Sequence, residues 1–287
     1  MKKRNWISLL LIVLCLVVLF GYRAVNRIRT DSKAPVITVE EQLLEVSVQD
    51  PREVLLTGVT ARDDRDGDVT ASLVVESIRL LRPDGTVEVT YAAFDNSGNV
   101  SKLSREARYS DYVSPRFSLN APLMFTQNAK DEVLSAIAAQ DMLDGDITHR
   151  IRATALESVD SGFSGTYNTK FQVTNSLGDT VELVLPVEVY TPSYNEGKLT
   201  LTNYLIYLKA GDAFNARNYL HRLTVGRTSI SLDGTLPDNV QLTISGKVRT
   251  DEPGVYLVDY QIRYFPYSGN TEGAYNAYSR LIVVVEG

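Results

Sequence analysis

The chain has 287 residues, 44% hydrophobic and 22% charged, with 18 Gly and 10 Pro, an ordinary globular composition that excludes wholesale disorder and collagen-like repeats. A single cysteine, Cys15, excludes an intramolecular disulfide framework, and two histidines leave little for a His-based zinc site. The net charge of −6 is uneven: the six basic residues among the first 30 leave 23 of the 29 Lys and Arg against all 35 acids, a net of −12 beyond residue 30, which speaks against nucleic acid as a partner.

From Trp6 to Tyr22 the chain carries no charge, and a run of 17 residues is at the short end of what crosses a bilayer core. Residues 1–32 are therefore expected to form a membrane anchor with basic flanks, spanning at 6–22. A cleaved signal peptide is the alternative, because Lys2, Lys3 and Arg4 make a suitable basic start. No small-residue cleavage site closes the run, however; Phe20, Gly21 and Tyr22 lead into Arg23. A lipoprotein is a third option, but Leu14 precedes Cys15 where a lipobox has a small residue. Basic residues flank both ends, so charge alone leaves orientation open. The large acidic, strand-rich remainder suits an extracellular C-terminal side. Its lack of disulfides points to a bacterial surface, giving a single-pass cell-membrane protein.

Behind the anchor the chain repeats. Leu56–Asp63 (LTGVTARD) returns as Leu134–Asp141 (LSAIAAQD), each followed by Asp-Gly-Asp and Val-Thr or Ile-Thr, at Asp66–Thr70 and Asp144–Thr148. Gly85-Thr86 and Gly165-Thr166 open later matching runs, which end at Asp95–Asn99 and Asn175–Asp179. Small-residue–Pro pairs at Ala34-Pro35, Ser114-Pro115 and Thr191-Pro192 start three units, expected at 33–112, 113–191 and 192–287. The third has drifted. It keeps Gly254 and the alternation of Tyr256, Val258, Tyr260, Ile262 and Tyr264 with Leu257, Asp259, Gln261 and Arg263. Val87, Val89, Tyr91 and Ala93 alternate likewise in the first unit, and Tyr167, Thr169, Phe171 and Val173 in the second. Period-two patterning with one apolar face predicts strands packed on a core from one side, and the Asp-Gly, Asn-Ser-Gly and Pro turns predict β-sandwiches.

The pattern from Ala61 to Thr70, followed by Gly85 to Asn99, resembles the bacterial immunoglobulin-like, or hyalin-repeat-like, surface domains, among them the Ig-like domain first named from pesticidal crystal proteins. The first unit matches both halves of that pattern. The second matches the second half loosely, and the third only through Gly254–Tyr264 and an Ala210-Gly211-Asp212 turn. The resemblance implies seven-stranded sandwiches strung along surface proteins as adhesive or spacer modules, with no common enzymatic activity. The expected fold is all-β: three tandem Ig-like β-sandwich domains preceded by one N-terminal transmembrane helix.

Two residue sets stand out as candidate sites. Asp63, Asp66 and Asp68, with their copies Asp141, Asp144 and Asp146, place carboxylates close together on one turn, a start for the six to eight oxygens that calcium takes. The alternative is that Asp-Gly supplies a tight turn while the flanking carboxylates accept from nearby backbone N–H groups. No other cofactor is expected. Tyr267, Tyr275 and Tyr278 form the second set, in a Tyr/Ser/Gly/Asn-rich stretch, Phe265–Tyr278, that reads as a long hairpin loop before a last strand at Leu281–Val285. Such composition serves recognition in antibody loops; alternatively, the rings fold down to cap their own core. His149 and His221 stand alone, and no nucleophile elbow, phosphate loop or Cys–His pair occurs, so no enzyme is expected. The favoured function is an interaction, adhesion or display module toward a cell-envelope protein or glycan. The alternative is a spacer or envelope scaffold without its own ligand.

Overall fold

The computed structural model of the chain describes residues 2–29, 31–80, 82–128, 133–154, 162–192, 195–267 and 273–287, and within the first helix it describes side chains at Trp6 and at 10–23. That helix is Lys2–Arg29, and its described side chains are all exposed. Among the described residues, no helix is long and apolar enough to cross a membrane. The described residues after it are all-β apart from short helical turns. The chain divides into two compact units, Met1–Val113 and Ser114–Gly287.

In the first unit, Val36–Val39 pairs antiparallel with Val59–Asp63, which turns back through Gly67–Asp68. A four-stranded sheet runs Leu43–Val46, Val100–Tyr109, Thr86–Phe94 and Val74–Leu80, its first pair parallel. Alternation sets what is buried. Val59, Ala61 and Asp63 point inward from one sheet, and Val87, Val89 and Tyr91 from the other. Each buried Val or Leu of this kind contributes about 1.5–3 kcal/mol. Tyr91 donates from its hydroxyl to Leu55 O at 2.7 Å, and buried Arg105 donates to that same hydroxyl oxygen at 2.8 Å. Arg105 also donates to the Leu55 and Thr57 carbonyls, so among the described residues the buried cation is satisfied by aligned neutral acceptors. Gly85 holds φ at +85°, and a Cβ there would lie 2.3 Å from Tyr109 O. This close backbone approach explains the glycine that opens the strand.

In the second unit the same pairing plan occurs twice more. Arg116–Leu119, Ile137–Asp141 and Gly145–Asp146 form one sheet. Met124–Thr126 runs parallel to Thr180–Tyr190, followed by Gly165–Thr174 and Arg152–Thr154. Lys198–Leu201, Leu220–Val225 and Thr228–Ser231 form a third sheet, and Leu205–Lys209, Tyr275–Glu286, Gly254–Tyr264 and Val240–Ser245 a fourth. One contiguous apolar cluster runs through this unit, with Phe117, Phe171, Leu185, Tyr260 and Leu281 among its buried members. Tyr260 repeats the device seen at Tyr91: its hydroxyl donates to Ala216 O at 2.7 Å, at the short helical turn Ala216–Tyr219.

The last strand starts at Tyr275, earlier than the expected Leu281, because Tyr275–Glu286 stays in register with Gly254–Tyr264 along its full length, from Tyr264↔Tyr275 to Gly254↔Val285. The connection before it is correspondingly shorter. Its middle, 268–272, lies outside the described residues.

Candidate functional site

The two Asp-Gly-Asp turns are built alike. Asp63 Oδ1 accepts from the N–H groups of Arg65 and Asp66, at 2.8 and 2.9 Å; Asp141 Oδ1 accepts from Leu143 and Asp144, both at 2.9 Å. Gly67 and Gly145 take positive φ at the tip. Asp68 Oδ1 accepts from Thr70 N and Asp146 Oδ1 from Thr148 N, each at 2.9 Å, while the threonine hydroxyls accept from Ala61 N and Ala139 N. Bonds of this kind hold the Asp63, Asp68 and Asp146 carboxyls below the usual carboxylate range: for Asp63 the Asp66 and Arg65 amides, for the other two the threonine hydroxyl and amide. Asp66 Oδ2 accepts from Asn96 N, and Asp144 accepts from Ser176 N and Oγ and from Arg150. Within each turn, then, the three carboxylates serve three different backbone tasks.

Asp63 instead meets residues from elsewhere. One oxygen each of Asp31, Asp63 and Asp95 lies within 4.8 Å of the other two, and all three side chains are buried. Asp95 arrives from the turn after Thr86–Phe94, where Oδ1 accepts from Asn99 N and Oδ2 from Asn99 Nδ2. Asp31 lies just before the first strand. Its Oδ1 accepts from Lys33 N, and its Oδ2 stands 3.9 Å from Arg65 Nε. Sequence reading singled out Asp63 but missed Asp31 and Asp95. The signal for Asp95 was its place at the end of the repeated Gly85–Asn99 run.

Tyr267, Tyr275 and Tyr278 do not form one patch. Tyr275 and Tyr278 are an odd number apart on one strand and so face opposite ways. Tyr275 packs against the core, whereas Tyr278 is exposed. Tyr267 is exposed at the start of the connection. Tyr278 borders a groove of about 780 Å³ in the second unit, walled also by Asn120, Pro122, Tyr190, Glu196, Lys198 and Tyr204. Burial raises the phenol of Tyr190, and the Glu196 carboxylate beside it adds to this; burial also raises that of Tyr204. Both rings therefore stay neutral hydroxyl donors at physiological pH.

No protein-family profile matches the chain. It is 24% identical over 173 residues to pesticidal crystal protein Cry22Aa of Bacillus thuringiensis, covering 59% of this chain and 22% of that protein. It is 28% identical over 157 residues to an uncharacterized 81.3 kDa protein of Acholeplasma phage L2, covering 53% of this chain and 19% of that one. The chain thus spans about a fifth of the length of these curated relatives. Among solved structures it is similar to the CBM51-2 and INT domains of Clostridium perfringens ZmpB, with TM-score 0.22 and 16% identity over 52% of this chain and 26% of that one. It is also similar to protocadherin gammaB7 EC3-6, with TM-score 0.19 and 10% identity over 88% of this chain and 74% of that one. At these scores the structural likeness carries no argument about function.

Proposed function

We propose that the chain is a bacterial cell-surface interaction module: three Ig-like sandwiches, at 33–112, 113–191 and 192–287, held to the membrane by the apolar run at 6–22 and facing outward. The sequence match to the Bacillus thuringiensis crystal protein supports the bacterial part of this reading, and the charge-free run Trp6–Tyr22 supports the anchor. The groove is the observation that carries the interaction role. Tyr278 offers an aromatic face, Tyr204 a hydroxyl, and Glu196, which also accepts from the Tyr190 hydroxyl, and Lys198 opposite charges within one concave surface. A saccharide is recognised by that combination: a ring face to stack on, with polar groups to bond its hydroxyls. The partner is therefore a cell-envelope or host glycan, ahead of a protein.

The test is binding of detergent-solubilised full chain to an array of envelope and host glycans, with Tyr278→Ala and Glu196→Gln beside it. Both variants should lose binding at least ten-fold while unfolding at the parent temperature. Absence of glycan binding by the parent, or binding indifferent to both changes, would leave a spacer or scaffold as the better account.

A further inference from the structure

The Asp31–Asp63–Asp95 cluster has more negative charge than its surroundings answer. Asp63 is 4% exposed and Asp31 and Asp95 each 8%, so little of this charge reaches water. Asp31 Oδ2 and Asp63 Oδ2 are buried and accept no hydrogen bond. A buried carboxylate oxygen without a partner is costly. Arg65 is the cation at hand, and its Nε stands 3.9 Å from Asp31 Oδ2 with the side chain 46% exposed. Lys33 also acts on Asp31, but its Nζ is paired with Asp64 at 2.5 Å, so the three carboxylates and the one guanidinium keep an excess of −2.

The second copy of the repeat shows the same turn with this excess removed. Asn175 stands where the first copy has Asp95, and its amide donates to Asp141 Oδ2 at 3.0 Å, the oxygen equivalent to the orphan on Asp63. Its own Oδ1 accepts from Leu177 N and Asp179 N. Asp179 stands where the first copy has Asn99, so the acid and the amide have exchanged places across the turn. The counterpart of Asp31, placed alike before the next Pro, is Asp111, whose two oxygens accept from Ser47 Oγ and Val48 N. One copy closes its turn with an amide. The other keeps three converging carboxylates.

We propose that Asp31, Asp63 and Asp95 bind a calcium ion. Two oxygens bonded to one calcium at about 2.4 Å are at most about 4.8 Å apart, and the three carboxylates meet that limit pairwise. The donors are all hard oxygens, which suits calcium and not zinc. Backbone carbonyls and water complete a shell of about six to eight. The ion takes up the −2 excess and ties the segment before the first strand to two turns distant in sequence. This ligand set differs from the Asp-Gly-Asp turns, of which it uses Asp63 alone, and it does not depend on the glycan groove.

The test uses the detergent-solubilised full chain, stripped with chelator and titrated calorimetrically with calcium chloride. One ion per chain should bind, with a dissociation constant of about 10⁻⁴–10⁻³ M, the range of extracellular calcium modules, and saturating calcium should raise the thermal midpoint. Asp95→Asn should abolish binding. The double variant Asp95→Asn/Asn99→Asp, which reproduces the second copy's pair, should abolish it while remaining as stable as the calcium-free parent. Asp68→Asn should bind as the parent does. No calcium heat and no shift of the midpoint in the parent would overturn the proposal. So would binding that survives the double variant, or two ions per chain that are lost on changing Asp68 and Asp146.

Discussion

Arg116 Nη2 donates to both carboxylate oxygens of Glu286, at 2.8 and 2.7 Å, across 170 residues of sequence. The same guanidinium lies 4.9 Å from the ring centre of Tyr207, whose hydroxyl oxygen accepts from Phe117 N at 3.1 Å. Farther along the same strand, Arg280 Nη1 is 2.8 Å from Glu188 Oε2 and Arg280 Nε donates to Asp259 Oδ1 at 2.6 Å. These contacts join the stretch before residue 191 to the stretch after it within one compact unit.

Tyr207→Phe leaves Phe117 N without its acceptor and should lower the stability of the second unit by about 1 kcal/mol. Arg116→Ala removes a half-exposed ion pair and the stacked cation, about 0.5–1.5 kcal/mol together. The double variant Arg116→Ala/Tyr207→Leu should cost less than the sum of its two single changes, because each of those already removes the cation–ring contact. Thermal unfolding of the four proteins in this cycle checks this; strict additivity would show the stack to be idle.

Gly85→Ala should destabilise the first unit by about 1–3 kcal/mol, since it combines positive φ with a Cβ pressed on a carbonyl. Its sequence counterpart Gly165 has no such φ, and a Cβ there would meet Tyr167 ring atoms at an ordinary 3.6–3.7 Å. Gly165→Ala should therefore leave stability within about 0.5 kcal/mol. Denaturant titration of each variant separates the two; equal effects would mean that Gly85 has another backbone conformation.

Tyr91→Phe removes the hydroxyl that accepts from Arg105 Nε and donates to Leu55 O. A buried charged donor then loses a partner, and the first unit should lose about 1–3 kcal/mol. Arg105→Met in the same background should restore part of it, because the unsatisfied cation is gone. Failure of that rescue would show that Arg105 acts through packing alone.

Asp63, Asp68 and Asp146 have folded carboxyls below the ordinary value of 3.8. Asp144 does too: burial pushes it up, but the bonds from Ser176 and Arg150 outweigh that effect. Depressed folded values favour the ionised form, so their contribution is complete above about pH 5, clear of the unfolded value, and is lost as pH falls through the folded values. Stability should be level from neutral pH to about pH 5 and then fall steadily toward pH 2. Asp146→Asn and Asp144→Asn should each flatten the fall. An acid limb unchanged in both would place the responsible protons elsewhere.

Much of this was legible in sequence because strand burial is local. Alternation of period two in Thr86–Phe94, Gly165–Thr174 and Gly254–Tyr264 dictates which side chains face inward, whatever they pack against. The Asp-Gly-Asp turns were equally legible, since Asp side chains accept from amides two and three residues on. What the sequence could not display is convergence. Asp31, Asp63 and Asp95 are about 32 residues apart in turn, and only the folded chain brings their oxygens within 4.8 Å of one another. The facing of Tyr275 and Tyr278 was likewise decided by register: the hydrogen-bonded ladder with Gly254–Tyr264 continues past Leu281, turning a stretch of loop-like composition into strand and sending the two rings to opposite faces. The sequence determined the period and the turns, because these depend on neighbours along the chain. The ligand set and the groove depend on pairing between distant strands, and tertiary structure alone decided them.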